Sequence, residues 1–256
     1  MIVEQMTYMP IENKYEIISK IGEGGYGVIY KAREIGTTNI VSFKQIKKQL
    51  PELKEENYQS NFREINILQE LKGQSNIIKL KDIMMNKYNN NLFIIYDYNE
   101  FDVNTLIQQK TLSVQQVKSY MKQMILALQA VHSKGYIHCD IKPSNFLIST
   151  ENEIKLIDFG VSQKIDDSNK KPIIGTLSYN APELILGDTN YGKEIDIWSL
   201  GCTFYEMITK KRYMYSHCDY DIANQMIQIY GIPNKKDYPQ FYHFPNKNLF
   251  FNRQLI

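Results

Sequence analysis

Between Tyr15 and Lys48 short β-rich runs are broken by glycines: "YEIISKIGEGGYGVIYKARE" reads as two strands and "NIVSFKQIKK" as a third. A hairpin with a glycine-rich tip follows from that order. The period then changes. In "SNFREINILQELKG", Phe62, Ile65, Leu68 and Leu71 recur on one helical face, with Ser60 as the expected cap and Gly73 as the stop. Two further strands are expected at "IIKLKDIMM" and "NLFIIYDY", joined by the polar patch "NKYNNN", which suits a surface turn. From Ser113 a long helix is predicted, capped by that serine and ended before Gly135, with Val117, Met121, Met124, Ile125, Leu128 and Val131 facing inward. Two short strands at "FLIS" and "IKLID" precede loops and helices, among them "IDIWSLGCTFYEMIT", apolar enough to read as buried. The pattern predicts an α+β protein with an extension at 1–14, a small sheet with one main helix at 15–98, and a larger, mainly helical part at 99–256.

Composition changes this picture little. With 43% hydrophobic and 23% charged residues, the 256-residue chain can bury a core of ordinary globular kind. A formal charge of +2 gives no reason to expect a nucleic-acid or membrane partner. Cys139, Cys202 and Cys218 are odd in number and far apart, which suggests neither a disulfide framework nor a zinc cluster. The N-terminus lacks a basic region followed by an apolar run, and no segment approaches bilayer length. The expectation is therefore an intracellular protein of the cytoplasm or nucleus.

The chemistry is concentrated in a few short stretches. "GEGGYGVIYKA" sets Gly22, Gly24 and Gly27 in a Gly-x-Gly-x-x-Gly pattern, where backbone N–H groups approach phosphates with no Cβ in the way. A strand rather than a helix follows, which disfavours a dinucleotide-binding turn. Lys44, in the next strand, can reach nucleotide phosphates, and Glu64 on the following helix can pair with it. In "HCDIKPSN", Asp140 can accept a hydroxyl proton, Lys142 can neutralise charge on a moving phosphoryl group, and Asn145 can bind magnesium. Asp158 of "DFG" supplies the hard oxygen donor that magnesium prefers. Taken singly, the glycines read as a flexible tip and Lys44 as a solvated side chain. In this order in one chain they do not.

Together these stretches resemble a eukaryotic protein kinase of the serine/threonine type, from about Tyr15 to Tyr242. "GEGGYGVIYKA", "TLSYNAPELILG" and "EIDIWSLGCTFYEMIT" are most similar to the cyclin-dependent kinases and their CMGC relatives. The resemblance implies a bilobal fold, ATP and Mg2+ as cofactors, and protein substrates. It also implies that Ile21, Ile29, Ser42 and Leu147 border the adenine, that Asp97 and Asn99 offer hinge backbone groups, and that Asp102 reaches the ribose. Thr176 would steady Asp140 and Lys142, and Asp196 would brace the catalytic loop. Lysine at 142 is the serine/threonine form of this loop. An activating subunit, cyclin-like or other, is a further expectation, with its identity open because "YQSNFRE" shares only its last two letters with the helix that cyclins recognise.

Several positions depart from the family pattern. Cys139 stands in place of an arginine that grips a phosphorylated activation-loop residue, Gln163 in place of another, and Lys171 where the phosphothreonine would lie; Arg63 is retained. Activation independent of phosphorylation at that site is expected. Ser178, Tyr179 and Asn180 replace the tryptophan, tyrosine and arginine that shape a proline pocket, so proline-directed specificity is not expected. Tyr26 matches a position where an added phosphate would repel ATP. Relatives continue through further helices that include a partner for Glu183, so the helical lobe is expected to lack its last helices, with Arg253 a candidate partner. The rival expectation is a catalytically silent scaffold on the same fold.

Overall fold

The computed structural model describes residues 6–24, 27–46, 55–86, 88, 91–170 and 175–251. Tyr26, Lys171 and Arg253, each singled out from the sequence, lie outside them. The chain divides into two compact units, one of Met1–Asp102 with Leu147–Gly160, the other of Val103–Phe146 with Val161–Ile256.

The first unit is built on an antiparallel sheet of β1 (Tyr15–Gly24), β2 (Gly27–Glu34), β3 (Ile40–Ile46), β4 (Leu80–Met85) and β5 (Leu92–Asp97), in the order β1-β2-β3-β5-β4. The glycine-rich stretch forms the β1–β2 hairpin, where Gly24 pairs with Gly27. Alternation along the strands buries Ala32, Val41, Phe43, Met84, Phe93 and Ile95 with Tyr15 and Ile11 in one cluster. The N-terminal segment adds to the sheet edge: Thr7 bridges Met84, and its hydroxyl and Lys14 Nζ both reach the Asp82 carboxylate, the lysine at 2.8 Å. A smaller sheet, in this unit but for Phe146, joins β6 (Phe101–Asp102) to β8 (Phe146–Ile148) and β9 (Ile154–Leu156).

Helix α1 spans Glu55–Glu70. Ser60 is therefore not its cap: the first turns are polar in sequence, so apolar periodicity reports only the part from Phe62 onward. Gly73, at φ +89°, does end it.

The second unit holds α2 (Val103–Gln109), α3 (Val114–Ser133), β7 (Tyr136–Ile137), β10 (Gln163–Lys164), α4 (Pro182–Ile185), α5 (Glu194–Thr209), α6 (Asp219–Tyr230) and α7 (Asn248–Phe251). Ser113 caps α3 through a full capping box, its hydroxyl accepting from Gln116 N while the Gln116 side chain accepts from Ser113 N. The inward face differs from the expected one: Ile125 is 53% exposed, while Tyr120 and Ala127 are buried. A larger correction concerns α5, where Ile197, Phe204, Tyr205 and Ile208 are exposed. Its buried face carries Ile195, Leu200, Cys202 and Met207 together with Asp196, Ser199, Thr203 and Glu206, the four polar ones each hydrogen-bonded within the unit. Apolar content cannot reveal a face whose burial depends on matched polar partners.

Candidate active site

In the first unit, cross-strand register gathers several of the sequence-predicted residues. Gly22 sits opposite Ile29, Ile29 opposite Lys44, and Ser42 opposite Tyr96. Ile21 and Ile29 stay 48% and 38% exposed, available to a ligand rather than spent on the core. Gly27 is required by a close approach: a Cβ there would lie 2.5 Å from Gln45 O, and φ is +150°. At the end of β5, Asn99 Nδ2 and Ser42 Oγ both donate to Asp97 O, at 3.1 and 3.5 Å. Asp102 pairs with Leu147 across the small sheet.

Lys44 Nζ donates to Glu64 Oε2 at 2.7 Å, joining β3 to α1 through side chains 11% and 5% exposed. Removing one partner of such a buried pair costs roughly 3–5 kcal/mol, because the other charge is left stranded. The second Glu64 oxygen is held too: Tyr96 donates its hydroxyl to Oε1 at 2.7 Å. Burial first, and then the neighbouring Glu64 carboxylate, raise the Tyr96 ionisation well above the usual phenol range, which keeps the donor proton in place. Helix α1 is also tied to the "DFG" stretch, since Ser60 Oγ and Arg63 Nη1 both donate to Gly160 O, at 2.9 and 2.8 Å. Arg63 thus places one N–H of its guanidinium on a backbone carbonyl. Asp158 carries φ +64°, a left-handed conformation that costs a non-glycine residue about 1–3 kcal/mol and is characteristic of functional sites.

In the second unit, the loop after β7 brings Asp140, Lys142, Asn145 and Thr176 together. Asp140 Oδ1 accepts from Thr176 Oγ1 at 2.7 Å; Oδ2 accepts from Lys142 Nζ at 2.7 Å and from Asn145 Nδ2 at 3.1 Å. Lys142 Nζ also donates to Thr176 Oγ1 at 2.8 Å. Asn145 Nδ2 further donates to Asp140 O, which turns its amide nitrogen toward the loop and leaves Oδ1 as the oxygen that can ligate a cation. Gly175 is enforced by contact, since a Cβ there would lie 2.1 Å from Cys139 O and φ is +76°.

Beneath this group the backbone is strained and braced. Cys139 has φ +68°, and its N–H donates to Asp196 Oδ1 at 2.9 Å while His138 N donates to Asp196 Oδ2 at 2.8 Å. His132 Nε2 lies 2.8 Å from the same Oδ2. The Cys139 side chain packs with Ile137, Ala181, Leu184, Tyr191 and Ile195, an apolar cluster that an arginine would have to displace.

The sequence reading missed Tyr96, Ser60 and Lys170 as working residues. Tyr96 had a usable signal: it stands two residues beyond Ile94, the partner of Lys44, and so on the same face of the sheet. Lys170 had none. Its Nζ is buried against Tyr191 O at 2.9 Å.

The Protein kinase domain family model matches residues 15–256. Cyclin-dependent kinase 7 of Dictyostelium discoideum is 35% identical over 241 residues, covering 91% of this chain and 66% of that protein. Serine/threonine-protein kinase ppk23 of Schizosaccharomyces pombe is 34% identical over 246 residues, and the chain spans 59% of its length. Cell division control protein 2 homolog 1 of Trypanosoma brucei brucei is 33% identical over 246 residues, covering 94% of this chain and 80% of that protein. Among solved structures, the CAK complex of Chaetomium thermophilum bound to ATP-gamma-S includes a chain that superposes with a TM-score of 0.82 at 28% identity, covering 92% of this chain and 74% of that one. A chain of the yeast RNA Pol II CTD kinase CTDK-1 complex gives 0.83 at 28% identity, with 94% and 77% covered. The chain belongs to the protein kinase family and is most like the cyclin-dependent kinases within it.

Proposed function

We propose that this protein transfers the γ-phosphoryl group of ATP to serine or threonine hydroxyls of proteins. The observation that carries the reading is the Asp140 carboxylate, oriented on both oxygens by Thr176, Lys142 and Asn145. In the reaction the acceptor oxygen forms a bond to the γ-phosphorus as the bond to the β–γ bridging oxygen breaks, ADP departs, and the hydroxyl proton passes to Asp140. Lys142 and Lys44 balance the phosphate charge, with Glu64 holding Lys44 in register. The glycine backbone at Gly22, Gly24 and Gly27 approaches the phosphates, Ile21, Ile29, Ser42 and Leu147 border the adenine, Asp97 and Asn99 bind its edge, and Asp102 reaches the ribose. The donors Asn145 and Asp158 fit magnesium in kind, one amide oxygen and one carboxylate, and a bound Mg2+ would neutralise the nucleotide phosphates.

Both solved relatives are described as complexes, which supports an activating subunit here. Stoichiometric recovery of a partner on the tagged chain from the source cell tests that part. The activity is tested by transfer from labelled ATP to a mixed serine/threonine protein substrate, with the chain alone and in cell extract. Transfer that vanishes in Asp140→Asn supports a kinase. Binding of ATP with no Asp140-dependent transfer in either setting would mark a silent scaffold.

A further inference from the structure

We infer that Tyr96 is a positioning residue for the phosphate-binding lysine: its hydroxyl fixes the plane of the Glu64 carboxylate, and that carboxylate fixes Lys44. The inference deepens the kinase reading and rests on it for the role of Lys44.

Strand geometry places the three groups. β5 runs antiparallel to β3 with Lys44 opposite Ile94 and Ser42 opposite Tyr96, so Tyr96 lies on the Lys44 face of the sheet, one pair further along. Glu64 on α1 meets both side chains. Its Oε2 accepts from Lys44 Nζ and its Oε1 from Tyr96 Oη, each at 2.7 Å, and Glu64 and Tyr96 are only 4% and 8% exposed. A carboxylate held by one oxygen can swing about its terminal torsion, which is broad for glutamate. Held by both oxygens, it has one orientation. The tyrosine can serve only as donor here, because an ionised carboxylate accepts and does not donate.

Lysine carries four rotatable bonds and the rotamer entropy that goes with them, and a buried partner with a fixed plane removes that freedom before nucleotide arrives. A phenylalanine would fill the same space and pack against the same neighbours. It would leave Oε1 without the hydrogen bond it makes here, and the carboxylate free to turn from Lys44. The hydroxyl, not the ring, is therefore the working part.

The test uses the full 256-residue chain and magnesium-ATP as probe. Tyr96→Phe should raise the ATP dissociation constant about fivefold to tenfold, a part of the worth of one hydrogen bond to a charged acceptor, because only the positioning of Lys44 is lost and not a contact to ATP itself. In a Glu64→Ala background, or Glu64→Met should the alanine variant not fold, adding Tyr96→Phe should change the constant by less than about twofold, since the hydroxyl has no carboxylate left to orient. A packing role would cost the same in both backgrounds. Hydrogen exchange along residues 60–70 of α1 gives a second readout that needs no nucleotide, and should quicken in Tyr96→Phe only while Glu64 is present. An unchanged dissociation constant and unchanged exchange in Tyr96→Phe, or equal losses in both backgrounds, would overturn the inference. If the coupling stands while Asp140-dependent transfer is absent, the kinase reading fails and the positioning role of Tyr96 survives it.

Discussion

Asp196 is the residue whose replacement tests most directly how the catalytic loop is held. Its side chain is 1% exposed and serves three donors: Cys139 N on Oδ1, and His138 N with His132 Nε2 on Oδ2. Asp196→Asn keeps the shape but leaves one acceptor oxygen. If that oxygen serves His138 and His132, the amide NH2 faces the Cys139 N–H, and a buried donor goes unpaired at about 1–3 kcal/mol. The two remaining bonds lose their ionic assistance, roughly another 1 kcal/mol each. Cys139, at φ +68°, then has less to hold it in a conformation that itself costs about 1–3 kcal/mol. The expected loss is about 3–5 kcal/mol, and at roughly 2–4 °C per kcal/mol for a domain of this size the melting temperature should fall by about 10 °C. Because Asp140 follows Cys139 directly, turnover should fall about a hundredfold, as displacement by an ångström does in other enzymes. Thermal melting and single-substrate kinetics on the purified variant measure both. A melting shift under about 2 °C with turnover unchanged would refute the bracing role.

Four other outcomes are expected. Ser168→Ala, at an exposed position of the segment before Gly175, should leave activity unchanged, as should phosphatase treatment of the purified protein; a large loss in either would restore phosphorylation as the switch. A degenerate peptide library should show no requirement for proline after the acceptor, since Asn180 is buried where the proline-directed relatives carry arginine; a sharp proline signal would contradict this. Brief alkylation at pH 7.5 should label exposed Cys218 first and Cys202 last, because burial pushes the Cys202 thiol up to about 12, and peptide mass spectrometry reads the order. Burial also raises the Glu183 carboxyl, so the folded state holds that proton more tightly than the unfolded one, and stability falls as pH rises through the folded value. Glu183→Gln should therefore raise the melting temperature at pH 7.5 and leave it little changed at pH 4; equal shifts at both would refute the assignment.

Strands β1 to β3 were legible from β-rich runs broken by glycines, β5 from a short continuous apolar run that is buried throughout, and α3 because its cap and stop are written in single residues, Ser113 and Gly135. The start of α1 and the buried face of α5 were not. The first turns of α1 are polar in sequence and carry no apolar period, and on α5 a polar residue is buried only when tertiary structure supplies its partner, as Tyr179 does for Glu206 at 2.6 Å. The candidate site divides the same way. Asp140, Lys142, Asn145 and Thr176 could be paired from motif order, whereas Tyr96 joins Glu64 only because β5 lies beside β3.

The departures from the family pattern form one physical argument once their surroundings are known. A phosphate on the activation segment brings nearly two negative charges and needs cationic donors to be worth its desolvation. Cys139 sits 5% exposed among Ile137, Ala181, Leu184, Tyr191 and Ile195, and Gln163, 7% exposed, is paired with Ile137 in a two-residue ladder. Arg63 is engaged at Gly160 O. A cation of the segment itself is engaged within the unit: Lys170 Nζ donates to Tyr191 O at 2.9 Å and lies 5.5 Å from the centre of that ring, within cation–π range. At the other end Thr176 is fixed to Asp140 and Lys142. Contacts at Lys170 and at Thr176 that fold with the chain, and an apolar cluster around Cys139 that would have to be broken to receive a charge, are the physical ground for expecting activity without a phosphate there. Cys139, Gln163 and the buried Lys170 thus bear on one expectation, a segment held by groups that fold with the chain rather than by a phosphate that must be installed, and the Ser168→Ala and phosphatase measurements decide it.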